Sequence, residues 1–308
     1  MTTFADLEAL VREQLDTFGV NPGPISYLTQ PLNPSDTTIS IATPFSGNLS
    51  AGVIEIGKEQ IYVINHDATI PGGANTSVLP GGRGWNGTSQ FIDPDDPVPA
   101  GTLVRIHPMW TAKQIRTALV STFSRVYPTL FGVKQTTFEY EATKWQYDLP
   151  AEAEKVLSVR AQSNAAHNPW YQLNRWRFSP VNDTEMPNSI SLEDYPSVGE
   201  PVIVSYSVRP VIDPDVATDV WTQTGLNQSL LQGILSGAVA YLLSFSDAAR
   251  SLLGTTQLNI GADNPDQRVG TASSLSAQLE QKFQFEVLQE AKRQRQTWPP
   301  VINFTRGN

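Results

Sequence analysis

The residues able to do chemistry are few. His66, His107 and His167 are the only histidines, each falls in a different segment, and cysteine is absent. Zinc sites need closely spaced His and Cys ligands, so none is expected, and disulfides are excluded. Carboxylates remain. Asp93, Asp95 and Asp96 cluster in a Pro-rich loop, and Glu139 and Glu141 fall on one face of a strand. A glycosidase needs two acids about 5–10 Å apart across a cleft, but Asp-Pro-Asp-Asp-Pro also reads as a solvated turn or a weak calcium loop. No Walker A loop, dinucleotide fingerprint or Gly-x-Ser-x-Gly elbow occurs. The glycine runs at Pro71–Gly73 and Pro80–Gly87 stand between strands, where they cannot form a phosphate cradle at a helix N-terminus. The expectation is a protein that is not an enzyme, with no cofactor and no metal.

Surface chemistry says more. A net charge of −9 argues against general coating of nucleic acid. From Asp183 to Asp219 there are eight acids against one base, Arg209, whereas the C-terminal region carries Lys282, Lys292, Arg293, Arg295 and Arg306. Opposite patches suit head-to-tail association of identical subunits, although the same charges also read as solvated faces. Trp298, Val301, Ile302 and Phe304 follow the last helix, with Pro299 and Pro300 favouring an extended form. Such an apolar segment folds back on its own domain or inserts into a partner. Insertion is the expectation, with Arg293, Arg295, Trp298, Pro299, Pro300, Val301, Ile302, Phe304 and Arg306 as the docking residues.

The elements that must position these groups follow from periodicity. Thr3–Phe18 reads as a capped amphipathic helix. From about Ile25 to Pro108 the period is two, with a hairpin at Gly57-Lys58-Glu59 and a turn at Asn86-Gly87, so a small barrel or sandwich is expected. Thr111–Tyr127 is a helix stopped by Pro128. A second β unit follows, with strands at Thr136–Glu141, Trp145–Leu149, Lys155–Gln162, Tyr171–Phe178, Ile190–Leu192 and Pro201–Arg209. Its aromatics, Trp145, Tyr147, Trp170, Tyr171, Trp176 and Tyr206, are expected in the core. Leu226–Phe245 is an uncharged helix long enough to span a bilayer, but its Gln, Ser and Gly residues favour a buried helix with no membrane role. Leu231, Ile234, Ala238, Tyr241 and Phe283 are expected to pack against a neighbouring subunit. A loop to Ser274 and a helix over Leu275–Thr297 complete the chain.

The resulting fold class is α+β. A helical hub, made of residues 1–24, 111–131 and 213–297, carries two inserted antiparallel β modules, at 25–110 and 132–212. The docking tail is 298–308.

Two stretches carry a resemblance. The hairpin from Ile54 followed by Arg83-Gly84-Trp85-Asn86-Gly87-Thr88 resembles the small β module with an R-G-x-x-G-T turn found in virion proteins of tailed bacteriophages. Gln90 and Phe91 follow where that family has a histidine. The second half is similar in order to head-to-tail adaptor (neck connector) proteins: Tyr147-Asp148-Leu149-Pro150, a β module closing Gly-Glu-Pro-Val-Ile-Val-Ser-Tyr, a helix rich in small residues, and a last helix ending Lys-Arg-Gln-Arg-Gln-Thr-Trp-Pro-Pro. The resemblance implies a structural turn at Arg83, Gly84, Asn86, Gly87 and Thr88. It also implies a twelve-fold ring of identical subunits in the virion neck. That ring would dock on the portal protein and meet the next neck or tail protein, with DNA only as passing cargo. Another tail, collar or baseplate part, or a tail-associated polysaccharide hydrolase, is the alternative.

Overall fold

Thr3 opens the first helix, α1 (Phe4–Thr17), with a reciprocal cap. The Asp6 N–H donates to the Thr3 hydroxyl at 3.2 Å and the Thr3 N–H donates back to the Asp6 carboxylate at 2.8 Å. The Thr3 backbone N–H contributes most to holding the Asp6 carboxyl below its usual pKa, helped by the Thr3 hydroxyl, which donates to it at 2.8 Å. Phe4, Leu7, Val11 and Leu15 form its buried stripe. The computed structural model describes residues 1–18, 24–42, 51–67, 74–88, 97–163, 169–180, 188–257 and 271–298. The chain divides into one unit of residues 8–118 and another of residues 1–7 with 119–308.

In the 8–118 unit, alternating Ile and Val residues build six antiparallel strands. They are β1 (Ile25–Tyr27), β2 (Thr38–Ile41), β3 (Gly52–Ile56), β4 (Glu59–Asp67), β5 (Ala74–Val78) and β6 (Leu103–Ile106), in the order β1-β6-β3-β4-β5-β2. The two edges meet through a bridge between Leu28 and Ile41, where the Thr29 N–H donates to Ser40 O and the Ala42 N–H to Tyr27 O. The sheet is thereby nearly closed into a barrel, which removes exposed edges. Ile39, Ile41, Ile54, Ile56, Ile61, Val63, Val104 and Ile106 fill its core, with Leu28 and Leu32.

The hub expectation fails here. The unit that contains this sheet also holds α1 from Glu8 onward and helix α2 (Ala112–Val126) as far as Ala118. Polar links from both helices explain this. Buried Glu55 on β3 accepts from Arg12 of α1 at 2.7 Å and from the Ala112 N–H of α2, and Arg12 also donates to Trp110 O at 3.1 Å. Arg116 pairs with Glu8 at 2.6 Å. Helices and strands take comparable shares of the chain, and the sheets are not appendages of a helical centre.

Burial pushes the Glu55 carboxyl above its usual pKa, against the opposing pull of Arg12, the Ala112 N–H and Arg105. A folded state that holds this proton to higher pH is favoured most below the usual value near 4.5 and loses stability as pH rises through the raised one. Urea midpoints of wild type and Glu55→Gln, taken from about pH 4 to about pH 8, are expected to show this decline in wild type alone. Parallel curves would refute the assignment.

The other unit holds two antiparallel sheets over one core. The first has the order β10-β9-β13-β7: β7 (Gly132–Glu139), β9 (Lys155–Gln162), β10 (Trp170–Leu173) and β13 (Pro201–Val208). The second is β11-β12-β8: β8 (Gln146–Asp148), β11 (Trp176–Ser179) and β12 (Ser189–Leu192). The single strand expected over Tyr171–Phe178 is thus two strands in different sheets. Asp194 accepts from the Asn174 and Arg175 N–H groups at 2.7 and 2.9 Å and fixes the break. Tyr147 and Tyr206 are in the core as expected, and Trp176 packs on it, but Trp145, Trp170 and Tyr171 are exposed. Trp145 precedes β8 and the other two lie on an edge strand.

Three helices accompany these sheets. The short α3 (Val220–Thr224) is capped by Asp219, which also accepts from the Thr2 N–H at 2.6 Å. That bond, first among several, holds the Asp219 carboxyl below its usual pKa. Helix α4 (Leu231–Gln257) pairs with α5 (Thr271–Thr297). The former runs past Phe245 because the following Ser-Asp-Ala-Ala-Arg-Ser-Leu-Leu contains no helix breaker. Gly237 permits the close approach: a Cβ there would lie 2.8 Å from Thr122 and 2.9 Å from Phe283. Among the described residues, no helix is long and apolar enough to cross a membrane.

Candidate functional site

The end of α5 is held by side chain to backbone bonds. The Gln294 amide donates to Phe131 O at 2.6 Å and accepts from the Phe131 N–H at 3.4 Å, so it pairs with the chain much as a strand would. One turn earlier, Glu290 is buried and accepts from the Ser229 hydroxyl at 3.0 Å and from Arg293 at 3.2 Å. The last turn closes with the Trp298 N–H donating to Gln294 O at 2.8 Å.

These bonds frame an open cavity of about 540 Å³, lined by Leu130, Val133, Leu226, Leu230, Arg293 and Trp298 among others. Its lining is mixed, with Asn227, Glu290, Gln294 and Thr297 beside the apolar residues, and the Arg293 guanidinium is largely exposed. Of the expected docking residues, the structure brings Arg293 and Trp298 to this cavity and leaves Arg295 exposed beside it. Pro299, Pro300, Val301, Ile302, Phe304 and Arg306 lie outside the described residues.

The expected inter-subunit packing residues are placed differently. Ile234, Ala238 and Phe283 are buried within the single chain, and only Leu231 and Tyr241 keep partial exposure. The correction has a simple cause: α4 lies on α5 and close to Thr122 of α2, so its own chain already covers its apolar stripe. The absence of charge from Leu231 to Phe245 goes with burial of that part of α4 inside its own chain.

The Arg-Gly-Trp-Asn-Gly-Thr turn is a closed hydrogen-bond network in the 8–118 unit. Arg83 binds the Glu59 carboxylate through two nitrogens, at 2.7 and 3.0 Å, and its remaining terminal nitrogen donates to Asn33 O and Pro34 O. Glu59 has no exposed surface and also accepts from the Gly84 N–H at 2.9 Å. Gly84, Asn86 and Gly87 all take positive φ, which glycine and asparagine tolerate best. Asn86 donates to the Gln60 side chain at 2.8 Å, Thr88 accepts from the Gln60 N–H at 3.0 Å, and Trp85 lies 4.9 Å from the Tyr62 ring. These bonds tie the turn to β4 and to the Asn33–Pro34 segment, so the motif shapes the barrel.

Glu139 and Glu141 do not line the cavity. Glu139 and Glu141 are exposed, on and just past the end of β7. Asp93, Asp95 and Asp96 lie outside the described residues, as does His167. The buried Glu200 accepts from the Tyr171 hydroxyl at 2.6 Å and from the Ser197 N–H at 3.0 Å, and burial together with that carboxylate pushes the Tyr171 phenol up to about 12. That pair is a clamp on the loop before β13, a constraint the sequence did not reveal because its members are far apart in the chain. Among the described residues no group of three His, Asp or Glu is arranged to hold a metal ion. No protein-family model matches the chain, and no curated protein matches it.

Proposed function

We propose that this chain is a structural protein of the neck of a tailed-phage virion, an adaptor whose copies form a ring between portal and tail around the DNA channel. The observation that carries the reading is the end of α5. Trp298 and Arg293 line an open cavity of mixed polar and apolar lining at the point where the sequence turns into Pro299-Pro300-Val301-Ile302-Asn303-Phe304. The helix end is pinned to Phe131 and Ser229, so the apolar segment starts from a fixed anchor, which reduces the ordering cost of docking. An aromatic and arginine pair on such a rim is the composition of an interface hot spot. The acidic balance of the chain suits a channel wall that must let DNA pass without gripping it.

Incorporation into portal-bearing heads tests the reading. Trp298→Ala is expected to lower incorporation about tenfold relative to wild type, with unchanged circular dichroism. Normal incorporation of that variant, or a particle in which the protein sits away from the neck by electron microscopy, would refute it.

A further inference from the structure

The outer face of α5 is unlike the rest of the surface. Its acids lie on the covered side: Glu280 pairs with Arg125, Glu290 is buried against Ser229, and Glu286 packs where a side chain on Gly233 would stand. Its bases, Lys282, Lys292, Arg293 and Arg295, are all exposed. Between them stand Phe285 and Leu288, 59% and 60% exposed. Gln281, Phe285, Leu288 and Lys292 follow one another at spacings of four, three and four, the seam that a helix presents to a packed neighbour.

The same unit carries a surface of opposite character. Between β13 and α3, Val211 and Val216 are exposed at 64% and 41%, next to the exposed carboxylates of Asp213 and Asp215. The Asp215 N–H donates to the Asp213 carboxylate at 3.0 Å and the Val216 N–H to Asp213 O, so this loop is already ordered as a turn. One face is apolar and basic, the other apolar and acidic.

We infer that Lys282, Phe285, Leu288 and Lys292 of one copy bind the Val211–Val216 loop of a second copy of this chain. Two α5 faces set against each other would oppose lysine to lysine, whereas the loop offers two valines to Phe285 and Leu288 and an acidic surface, with the exposed Asp213 carboxylate, to the lysines. The contact joins different surfaces on the two copies, the kind of contact that repeats around a ring. This inference rests on the ring-forming reading and names the surfaces that would build it.

Sedimentation and cysteine cross-linking of the full chain test it. Phe285→Glu with Leu288→Glu is expected to raise the concentration for half-assembly about a hundredfold, with unchanged helical content because both side chains are exposed. The chain has no native cysteine. Leu288→Cys combined with Val216→Cys in one chain is therefore expected to give a ladder of disulfide-linked oligomers on oxidation, and either change alone is not. Four outcomes overturn the inference: unchanged assembly of the double-glutamate variant, dimers from Leu288→Cys alone, no ladder from the paired variant, or tight binding of duplex DNA through Lys282 and Lys292 without self-association. Wild type that stays monomeric at every concentration removes the ring reading as well. An assembled wild type with an indifferent variant removes only these surfaces.

Discussion

Replacing Arg83 with methionine is expected to destabilise the 8–118 unit by about 3–5 kcal/mol, the range for removing one partner of a buried ion pair. The Glu59 carboxylate has no exposed surface, and Arg83 supplies two of its three hydrogen bonds. Without the guanidinium, the Glu59 carboxyl group is left in the protein interior with the Gly84 N–H as its partner among the described residues. The Pro34 carbonyl loses this donor at the same time, and the Asn33 carbonyl is left with the Asp36 N–H. Folding free energies are of order 5–15 kcal/mol in total, so the variant should sit near the limit of folding. Urea denaturation followed by circular dichroism measures the loss. Removing both charges, Arg83→Met with Glu59→Leu, should recover part of it, since a buried ion pair replaced by apolar groups is often neutral. A single variant within about 1 kcal/mol of wild type would show that the turn does not depend on the pair.

Gly132→Ala is the second large effect. A methyl group there would stand 2.0 Å from the Thr224 carbonyl oxygen and 2.8 Å from a Val208 methyl. The first contact is with backbone, which Gly225 fixes by accepting from the Val133 N–H at 2.8 Å. Rotamer change cannot relieve it, so β7 and the segment after α3 must separate. Overpacking of this kind costs about 1–3 kcal/mol and more where the backbone must move; a loss of at least about 3 kcal/mol is expected. Thermal unfolding of soluble protein checks it. Adding Val208→Ala should leave most of the loss in place, because it removes only the side-chain contact. Full rescue by Val208→Ala would mean that the carbonyl can yield.

Local features were legible in the sequence because local physics settles them. The Thr3–Asp6 cap, the Gly57–Glu59 hairpin, the period-two strands read as a small barrel or sandwich, and the helix over Thr111–Tyr127 depend on neighbours a few positions apart. The Asn86-Gly87 turn was legible for the same reason, since both residues accept positive φ at little cost.

Partner choice was not legible. An uncharged stripe on α4 states that it must be covered, but not whether its own chain or a neighbour does so; the sequence reading assigned Ile234 and Ala238 to a neighbour, and α5 covers the helix instead. The helical hub failed on the same ground, because Arg12 and Glu8 could meet Glu55 and Arg116 only once β3 and α2 were in place. Conversely, Phe285 and Leu288 are large and apolar, and only the packed pair of helices leaves them facing outward. Periodicity fixes which residues share a face, whereas the contacts that bury or expose that face join positions tens to hundreds of residues apart. Those pairings are settled by the energy of the whole packed chain, which no local pattern encodes.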